Sequence, residues 1–142
     1  MKIVVASDEE TNLTDSVVEY LKEKDHDVVL LGVLVDKENN KWAEIGKEAA
    51  RKVASGEVKQ GILFCWSGTG ICMAANRIRG ARATLCWDAE TARLARKWDN
   101  ANVLCLSSRF TSETLAKEIL DAWFATEFDE EGLNQVTELD KN

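Results

Sequence analysis

The sequence contains no proline and a single histidine, His26. The missing proline has no functional interpretation. None of the four cysteines, Cys65, Cys72, Cys86 and Cys105, is spaced as part of a CxxC pair. Zinc sites are usually built from such pairs and from histidines, so these spacings argue against zinc and we expect no bound metal. Each cysteine lies in or beside an apolar segment, which favours reduced and buried thiols.

Long apolar runs and clusters of positive charge are also missing. No stretch reaches 18 consecutive apolar residues, so we expect no membrane-spanning helix. The N-terminus lacks a signal-peptide pattern, which favours a cytoplasmic protein. The net charge is −7, from 18 lysines and arginines against 25 acidic residues, and no basic cluster is visible. This argues against nucleic acids and membranes as partners, because both are bound through positive patches, whereas a small anion can still be held locally.

What the sequence does contain is a regular alternation of apolar runs and amphipathic stretches. The predicted strands are Lys2–Ser7, Asp27–Val33, Gln60–Cys65, Ala83–Cys86 and Val103–Leu106. Most are continuous apolar runs, which is typical of a parallel sheet covered by helices on both faces. A chain of this length predicts one domain.

Five helical patterns lie between and after these strands. In the second, Ile45, Ala49 and Val53 recur at helical spacing, and Asp88 is placed to cap the fourth. Five alternations of strand and helix predict an open α/β sandwich with right-handed crossovers. We assign residues 1–128 to this domain. Residues 129–142 form an acidic tail with a weak apolar rhythm, expected either to fray or to pack as an arm on a partner.

The segment FCWSGTGICMAAN, from Phe64 to Asn76, connects the third strand to the third helix. In open α/β sheets, ligands bind beyond the carboxyl ends of the strands. Gly68 and Gly70 flank Thr69 at this point, and glycines allow backbone N–H groups to point inward as an anion cradle. The alternative is a tight turn that needs glycine only for its conformation.

Other side chains that follow strands have two interpretations each. Cys65 is either a general base or nucleophile favoured as a thiolate near the helix start, or a small buried side chain. Asp8 either holds a substrate hydroxyl or caps the next helix. Arg109 either pairs with an anionic ligand or lies on the surface. Trp66 either stacks on a sugar or buries a subunit interface.

With these residues identified, the chain resembles the family of type B ribose-5-phosphate isomerases and galactose-6-phosphate isomerase subunits. The opening MKIVVASD is similar to the family's opening, and residues 53–109 match its central signature almost position by position, including AAN, DAETARLAR and NANVL. The resemblance implies a flavodoxin-like three-layer sandwich with a five-stranded parallel sheet and a C-terminal helical arm. It also implies a homodimer or a dimer of dimers, with sites shared between subunits.

The resemblance implies a cofactor-independent aldose–ketose isomerase. In the family, a cysteine at the position of Cys65 removes the proton next to the carbonyl, and a hydroxyl residue at Ser67 assists at the sugar oxygens. The backbone from Ser67 to Gly70 stabilises the enediolate, which agrees with a thiol base beside an N–H cradle. Three further positions match substrate contacts: Asp8, Asp99 (an asparagine in the family) and Arg109.

The chain departs from the family where the family supplies cations and proton-transfer groups. Glu9 stands where a histidine usually follows the aspartate, and Trp98 stands at the ring-opening histidine. Trp66 replaces a glycine and Trp42 replaces a tyrosine. The tail EEGLNQVTELD lacks the arginines that clamp the phosphate from the neighbouring subunit. Charged hydrogen bonds are worth about 1.5–3 kcal/mol each, so losing several should weaken sugar phosphate binding by orders of magnitude.

These departures predict an isomerase whose substrate is not a ring-form pentose phosphate. An open-chain, less charged or unphosphorylated sugar, stacked on Trp66 or Trp98, fits better. The alternatives are a non-catalytic or partner-dependent member, such as a heteromeric subunit or a sugar-binding protein, and a nucleotide- or flavin-binding module. The isomerase hypothesis requires the Cys65 sulphur to reach a cavity and not be sealed by an indole. The expected substrate contacts are Asp8, Glu9, Trp66, Gly68, Thr69, Gly70, Trp98, Asp99 and Arg109.

Overall fold

The sheet is built from five strands that all run in the same direction. The computed structural model describes residues 1–141. The strands are β1 Lys2–Ser7, β2 Asp27–Gly32, β3 Gln60–Cys65, β4 Ala83–Leu85 and β5 Val103–Ser107. Their order across the sheet is β2-β1-β3-β5-β4, and each neighbouring pair is parallel. The predicted parallel α/β sheet is confirmed.

Helices cover both faces of the sheet. They are α1 Asn12–Glu23, α2 Trp42–Ala54, α3 Thr69–Ala75, α4 Ala89–Asp99, α5 Glu113–Ala125 and α6 Leu133–Leu139, the last preceded by a 3₁₀ turn at Glu130–Gly132. Side chains of β3 alternate between the two core layers. Ile62 and Phe64 pack with the apolar sides of α1, α4 and α5, while Leu63 and Cys65 pack with those of α2 and α3. The Cys65 thiol therefore lies in the layer that α2 and α3 cover.

Three strand boundaries differ from the sequence prediction by one residue. β2 ends at Gly32 and not at Val33, because the backbone turns there with φ +71°. β4 ends at Leu85, although the amide of Cys86 still donates to the carbonyl of Cys105 at 3.2 Å. β5 continues to Ser107. The bounds of β1 and β3 are as predicted.

Side-chain caps decide two of the sequence interpretations. Asp88 caps α4, as predicted, and accepts a hydrogen bond from the amide of Thr91 at 2.7 Å. The cap of α1 is Thr11, which forms a capping box with Thr14. Asp8 lies three residues before Thr11, so the interpretation of Asp8 as the cap of α1 is wrong.

The described part of the acidic tail packs on its own chain. The amide of Asp129 donates to the carbonyl of Lys97 at 2.8 Å, Val136 is buried, and Asp140 pairs with Arg82. Contact of this arm with a partner subunit stays a prediction. Within residues 1–141, every helix is too short or too polar to cross a membrane.

Candidate active site

The crevice between the carboxyl ends of β1 and β3 is where a ligand is expected in this topology. β2 lies on one side of β1 and β3 lies on the other, so the chain leaves β1 in one direction and later returns past it to β3. The connections therefore diverge between β1 and β3. Ser7 pairs in register with Phe64, and Cys65 pairs with Ser107. Asp8 and Cys65 therefore follow at the same edge of adjacent strands, as the sequence predicted.

The turn after β3 needs glycine at position 68. Gly68 has φ +78°, and a Cβ atom there would lie 2.5 Å from Cδ1 of Leu85 and 3.1 Å from the carbonyl oxygen of Leu106. Any side chain would thus be strained in its backbone and crowded by β4 and β5. The tight-turn role predicted for this glycine is present in the structure.

Backbone donors collect at the start of α3. The first amide to bond back into the helix is that of Cys72, which donates to the carbonyl of Gly68 at 3.3 Å. No side chain caps this helix. The amide of Thr69 donates to the Ser67 hydroxyl at 3.3 Å. The N–H groups of Gly70 and Ile71 also precede the helical bonding pattern, so they are the donors best placed to meet a ligand oxygen.

The two hydroxyl groups of the turn form a pair. Ser67 Oγ and Thr69 Oγ1 are 2.6 Å apart, so one donates to the other. This contact holds the Ser67 hydroxyl over the start of α3. The serine is therefore next to the backbone donors, as its assisting role requires.

Cys65 is nearly enclosed at the end of β3. Only 4% of the residue is exposed, and its side chain lies in the core layer beneath α2 and α3. The indole of Trp42, the first residue of α2, covers the helix start, because a Cβ on Gly70 would lie 3.0 Å from its Cδ2 and Cε3 atoms. The isomerase hypothesis requires an accessible sulphur, and the single chain leaves this residue almost no exposed surface.

The other three cysteines differ in position and chemistry: Cys72 and Cys105 pack in the same layer as Cys65, whereas Cys86 packs in the opposite layer. Burial raises the pKa of Cys86 to about 11. Burial also raises the pKa of Cys105, whose thiol forms a hydrogen bond with Cys72. That bond lowers the pKa of Cys72, which is half-buried on α3 and not a full core residue as predicted. All four thiols are free, and Cys72 is the most available of those three.

Two adjacent carboxylates mark the end of β1. Asp8 is half-buried, and burial is the main cause that raises its pKa, with a further contribution from the charge of Glu9. Glu9 is exposed, and its amide donates to the Ser7 hydroxyl at 3.1 Å. Two neighbouring carboxylates therefore make this end of the crevice negative.

The loop after β5 is tied to the segment that carries the thiol. The amide of Ser108 donates to the carbonyl of Cys65 at 3.0 Å, and the amide of Arg109 donates to that of Trp66 at 3.0 Å. The Ser107 hydroxyl donates to the same Trp66 carbonyl at 2.9 Å. The Arg109 guanidinium is exposed and forms no ion pair within residues 1–141. The tie through Ser107 and Ser108 was missed in the sequence, although both serines directly follow the core of a predicted strand.

Aromatic side chains surround the crevice. Trp66 is 61% exposed, and Trp87 contacts Phe110 edge to face with ring centroids 4.5 Å apart. Large exposed apolar groups of this kind are typical of a binding or subunit surface. Both interpretations of Trp66 stay open.

Trp98 and Asp99 lie at the opposite edge of the sheet from Cys65. They end α4, an 11-residue helix that runs back from the carboxyl edge over about 16 Å. Asp99 lines a cleft with Gly80, Arg82 and Ala101, which precede β4 and β5. A single chain therefore brings Asp8, Cys65, Ser67 and the glycine turn together, but leaves Trp98 and Asp99 apart from them.

Comparison with known proteins identifies the family that this chain is similar to. A sequence model of the family described as Ribose/Galactose Isomerase matches residues 3–141. The "Probable ribose-5-phosphate isomerase B" of Mycoplasma genitalium is 41% identical over 142 residues, covering 98% of this chain and 91% of that protein. The D-erythrulose-4-phosphate isomerase of Pectobacterium atrosepticum is 35% identical over 118 residues, covering 83% and 78%.

A solved structure shows the same fold. Ribose-5-phosphate isomerase B from Mycoplasma genitalium with bound ribulose 5-phosphate superposes with a TM-score of 0.89 at 36% identity, covering 98% of this chain and 93% of that one. Sequence and fold thus agree along nearly the whole chain. The chain belongs to the ribose/galactose isomerase family.

Proposed function

We propose that this protein is a cofactor-independent aldose–ketose isomerase that acts on a sugar phosphate. The observation that carries the proposal is the juxtaposition of Cys65 with the turn from Ser67 to Gly70, in a chain that belongs to this family. A proton acceptor and uncapped N–H donors side by side suit a reaction that builds negative charge on an oxygen.

The reaction moves one proton between neighbouring carbons. The Cys65 thiolate takes the proton from the carbon next to the carbonyl, and the electron pair of that C–H bond forms the enediolate. The N–H groups of Gly70 and Ile71 donate to its oxygen, and the Ser67 hydroxyl assists proton transfer between the two oxygens. Cys65 then returns the proton to the former carbonyl carbon. Asp8 holds a substrate hydroxyl beside β1.

The substrate we propose is a short sugar phosphate in its open-chain form. Trp98 has no proton-transfer group for opening a sugar ring, whereas an open-chain substrate needs no such step. One relative is named for D-erythrulose 4-phosphate, a four-carbon 2-ketose that has no fifth carbon whose hydroxyl could close a furanose ring on its carbonyl. Arg109 is the side chain of the crevice best suited to contact the phosphate.

The complete site requires a second copy of the chain in this proposal. Trp98 and Asp99 lie on the edge away from Cys65, so they can meet a substrate at that thiol only from another subunit. Exposed apolar side chains on α3 and α4, Met73 and Leu94, provide surface for such a contact. We infer a homodimer with two shared sites.

A non-catalytic or partner-dependent role is the second candidate. The near-complete burial of Cys65 favours it, because a base must contact the carbon that it deprotonates. In this case the crevice binds a sugar but does not exchange its protons. The two candidates differ in one measurable property, which is isotope exchange.

Proton exchange in D₂O tests the proposed reaction. Incubation with D-erythrulose 4-phosphate should place deuterium on the carbon next to the carbonyl, and Cys65→Ala should lower the rate by about 10²–10⁴-fold. Cys72→Ala is the matched control and should retain the wild-type rate. Full exchange in Cys65→Ala would remove this thiol from the mechanism, and binding without exchange in the wild type would establish the second candidate. Faster turnover of ribose 5-phosphate would contradict the open-chain substrate.

A further inference from the structure

A cleft of about 460 Å³ at the amino edge of the sheet concentrates positive charge in an acidic protein. Four cationic residues line it, Arg77, Arg79, Arg82 and Lys141, against the two carboxylates of Asp99 and Asp140. The sequence showed no basic cluster, and that expectation is wrong for this surface. Three of the arginines lie in the connection from α3 to β4, and the tail folds back to add the lysine.

The guanidinium of Arg82 is held in place from several sides. Its side chain is 15% exposed, and its Nε donates to the carbonyl of Asn100 at 2.8 Å. The backbone amide of Arg82 donates to Asn102 Oδ1 at 2.7 Å, and Asn102 Nδ2 donates to the carbonyl of Gly80 at 2.9 Å. Arg82 Nη1 also donates to the carbonyl of Gly80 at 3.5 Å, so backbone carbonyls fix the position of the guanidinium that lines the cleft.

The chain's own tail already places an oxyanion in this cleft. Arg82 Nη1 lies 3.2 Å from Asp140 Oδ2 and 3.5 Å from Oδ1, while Arg79 Nε donates to the Asp140 carbonyl at 3.1 Å. Arg77 lines the same cleft and forms no side-chain hydrogen bond or ion pair within residues 1–141. Asp140 thus pairs with Arg82, and Lys141 Nζ pairs with Glu138 Oε2 at 2.8 Å, which leaves the charge of Arg77 without an ion pair within residues 1–141.

A second guanidinium behind the cleft adds to its positive potential. Arg96 is half-buried, and its pKa is lowered first by burial and then by the charge of Arg82. Its Nε atom is buried without a hydrogen-bond partner in the described chain. Arg96 Nη1 donates to the carbonyl of Ala101, a residue that lines the cleft, so this second positive charge lies near the cleft and favours an anion there.

We propose that this cleft binds the phosphate group of a phosphorylated ligand in exchange for the Asp140 carboxylate. A phosphate presents three acceptor oxygens and up to two negative charges, so it can engage Arg77 together with Arg82, whereas the Asp140 carboxylate engages Arg82 alone. The tail residue acts as an internal competitor. The site lies at the edge opposite Cys65 and therefore goes beyond the proposed isomerase reaction.

Inorganic phosphate is the probe, measured by titration calorimetry on the full chain. The wild type should bind it saturably and more tightly than acetate. Asp140→Asn removes the competitor and should tighten binding about fivefold, and Arg77→Gln should weaken it about fivefold. Arg93→Gln, which alters an exposed arginine paired with Glu90, is the control and should leave the affinity unchanged.

These variants leave the hydrogen bonds of Arg82 to Asn100 and Asn102 intact, and Arg77→Gln also keeps the ion pair with Asp140, so at least one variant tests the site without loss of a packing contact. Absence of saturable binding in the wild type and in Asp140→Asn would overturn the proposal. Equal affinities in Arg77→Gln and Arg93→Gln would overturn it as well. The titration needs no turnover, so a failure of the isomerase proposal leaves this test unaffected.

The phosphate has two possible sources, because Asp99 lines both this cleft and the proposed shared site. A raised KM for the sugar phosphate in Arg77→Gln, with kcat unchanged, supports the site and assigns the phosphate to the substrate held by a second copy. An unchanged KM together with the weakened phosphate binding supports the site and assigns it to a separate phosphorylated ligand.

Discussion

The two edges of the parallel sheet carry opposite kinds of chemistry. At the carboxyl edge lie a nearly buried thiol, Cys65, and two carboxylates, Asp8 and Glu9, with one exposed arginine. At the amino edge, four cationic residues line one cleft. Cys65, Asp8 and Glu9 are thus separated from these four cationic residues by the length of a strand. The comparison explains why we propose a site that combines the carboxyl edge of one chain with the amino edge of another.

The separation follows from the way parallel strands are connected. Each helix returns the chain from the carboxyl edge to the amino edge, so residues at opposite ends of α4 differ in position by about 16 Å. Asp88 at its start faces the crevice edge, whereas Trp98 and Asp99 at its end do not. In the proposed homodimer, a second subunit would bring the two chemistries together without any change in the fold.

Subunit mixing would break this comparison most directly. Cys65→Ala and Asp99→Ala each disable every site of a homodimer whose sites take one residue from each chain. Random mixing of the two should restore about a quarter of the wild-type isomerase activity, because half of the dimers then hold one intact site of two. Activity is measured before and after unfolding and refolding the mixture.

Two outcomes would contradict the shared site. If Asp99→Ala alone retains wild-type activity, the amino edge does not contribute to catalysis. If both variants are impaired but mixing restores nothing, the residues act within the same chain. Cys65→Ala unfolded and refolded alone is the baseline.

Substitution of Gly68 tests how strictly the carboxyl edge is built. Gly68→Ala places a Cβ 3.1 Å from the backbone of Leu106 at φ +78°, and should lower the free energy of unfolding by about 2–4 kcal/mol. Gly56→Ala is a matched control, because Gly56 has φ +81° with no atom within 4 Å, and should cost about 1 kcal/mol. Urea unfolding measures both. Equal losses would mean that backbone strain alone, and not contact with β5, requires glycine at this turn.

The fold was predictable from sequence because its signals are periodic and local. Apolar runs predicted both bounds of β1 and β3 correctly, and the capping side chain of Asp88 indicated where α4 begins. The one-residue differences at β2, β4 and β5 arise where a turn or a single backbone bond ends a ladder. Such details depend on neighbouring strands, which a linear pattern does not contain.

The site was predictable only in part, because a match between sequence positions does not show at which edge of the sheet the matched residues lie. Cys65 and the glycine turn are contiguous, so their juxtaposition followed from sequence. Asp99 was placed in the same site by resemblance, although its position at the end of a helix after β4 already indicates the other edge. The cationic cleft was missed because Lys141 lies about sixty residues beyond Arg82 along the chain.

Thiol reactivity sharpens the contrast between the surface and interior of the carboxyl edge. At pH 8, an aromatic disulfide reagent should react first with Cys72, at least about tenfold faster than with Cys86 or Cys105. Its pKa is lowered by the hydrogen bond from Cys105, whereas burial raises the pKa values of the other two. Peptide mapping of the labelled protein identifies the site. Labelling that starts at Cys86 or Cys105 would contradict the packing, and Cys72→Ala should remove the fast phase.

The smallest expected effect concerns Asp8, because burial makes its charged carboxylate unfavourable to the stability of the fold. Burial, and then the charge of Glu9, raise its folded-state pKa above the ordinary value of 3.8, so the folded state binds this proton more tightly than the unfolded state. The associated stability is fully present below pH 3.8 and is lost as the pH rises through the folded-state pKa. Asp8→Asn should therefore raise the Tm by about 1–2 °C at pH 7 and leave it unchanged near pH 3.5.

Glu9→Gln should give a smaller rise in Tm, because the charge of Glu9 is the lesser cause of the raised pKa. Asp8→Asn should also slow isomerisation while it stabilises the fold. A Tm that falls at pH 7 would show instead that the ionised Asp8 stabilises this edge.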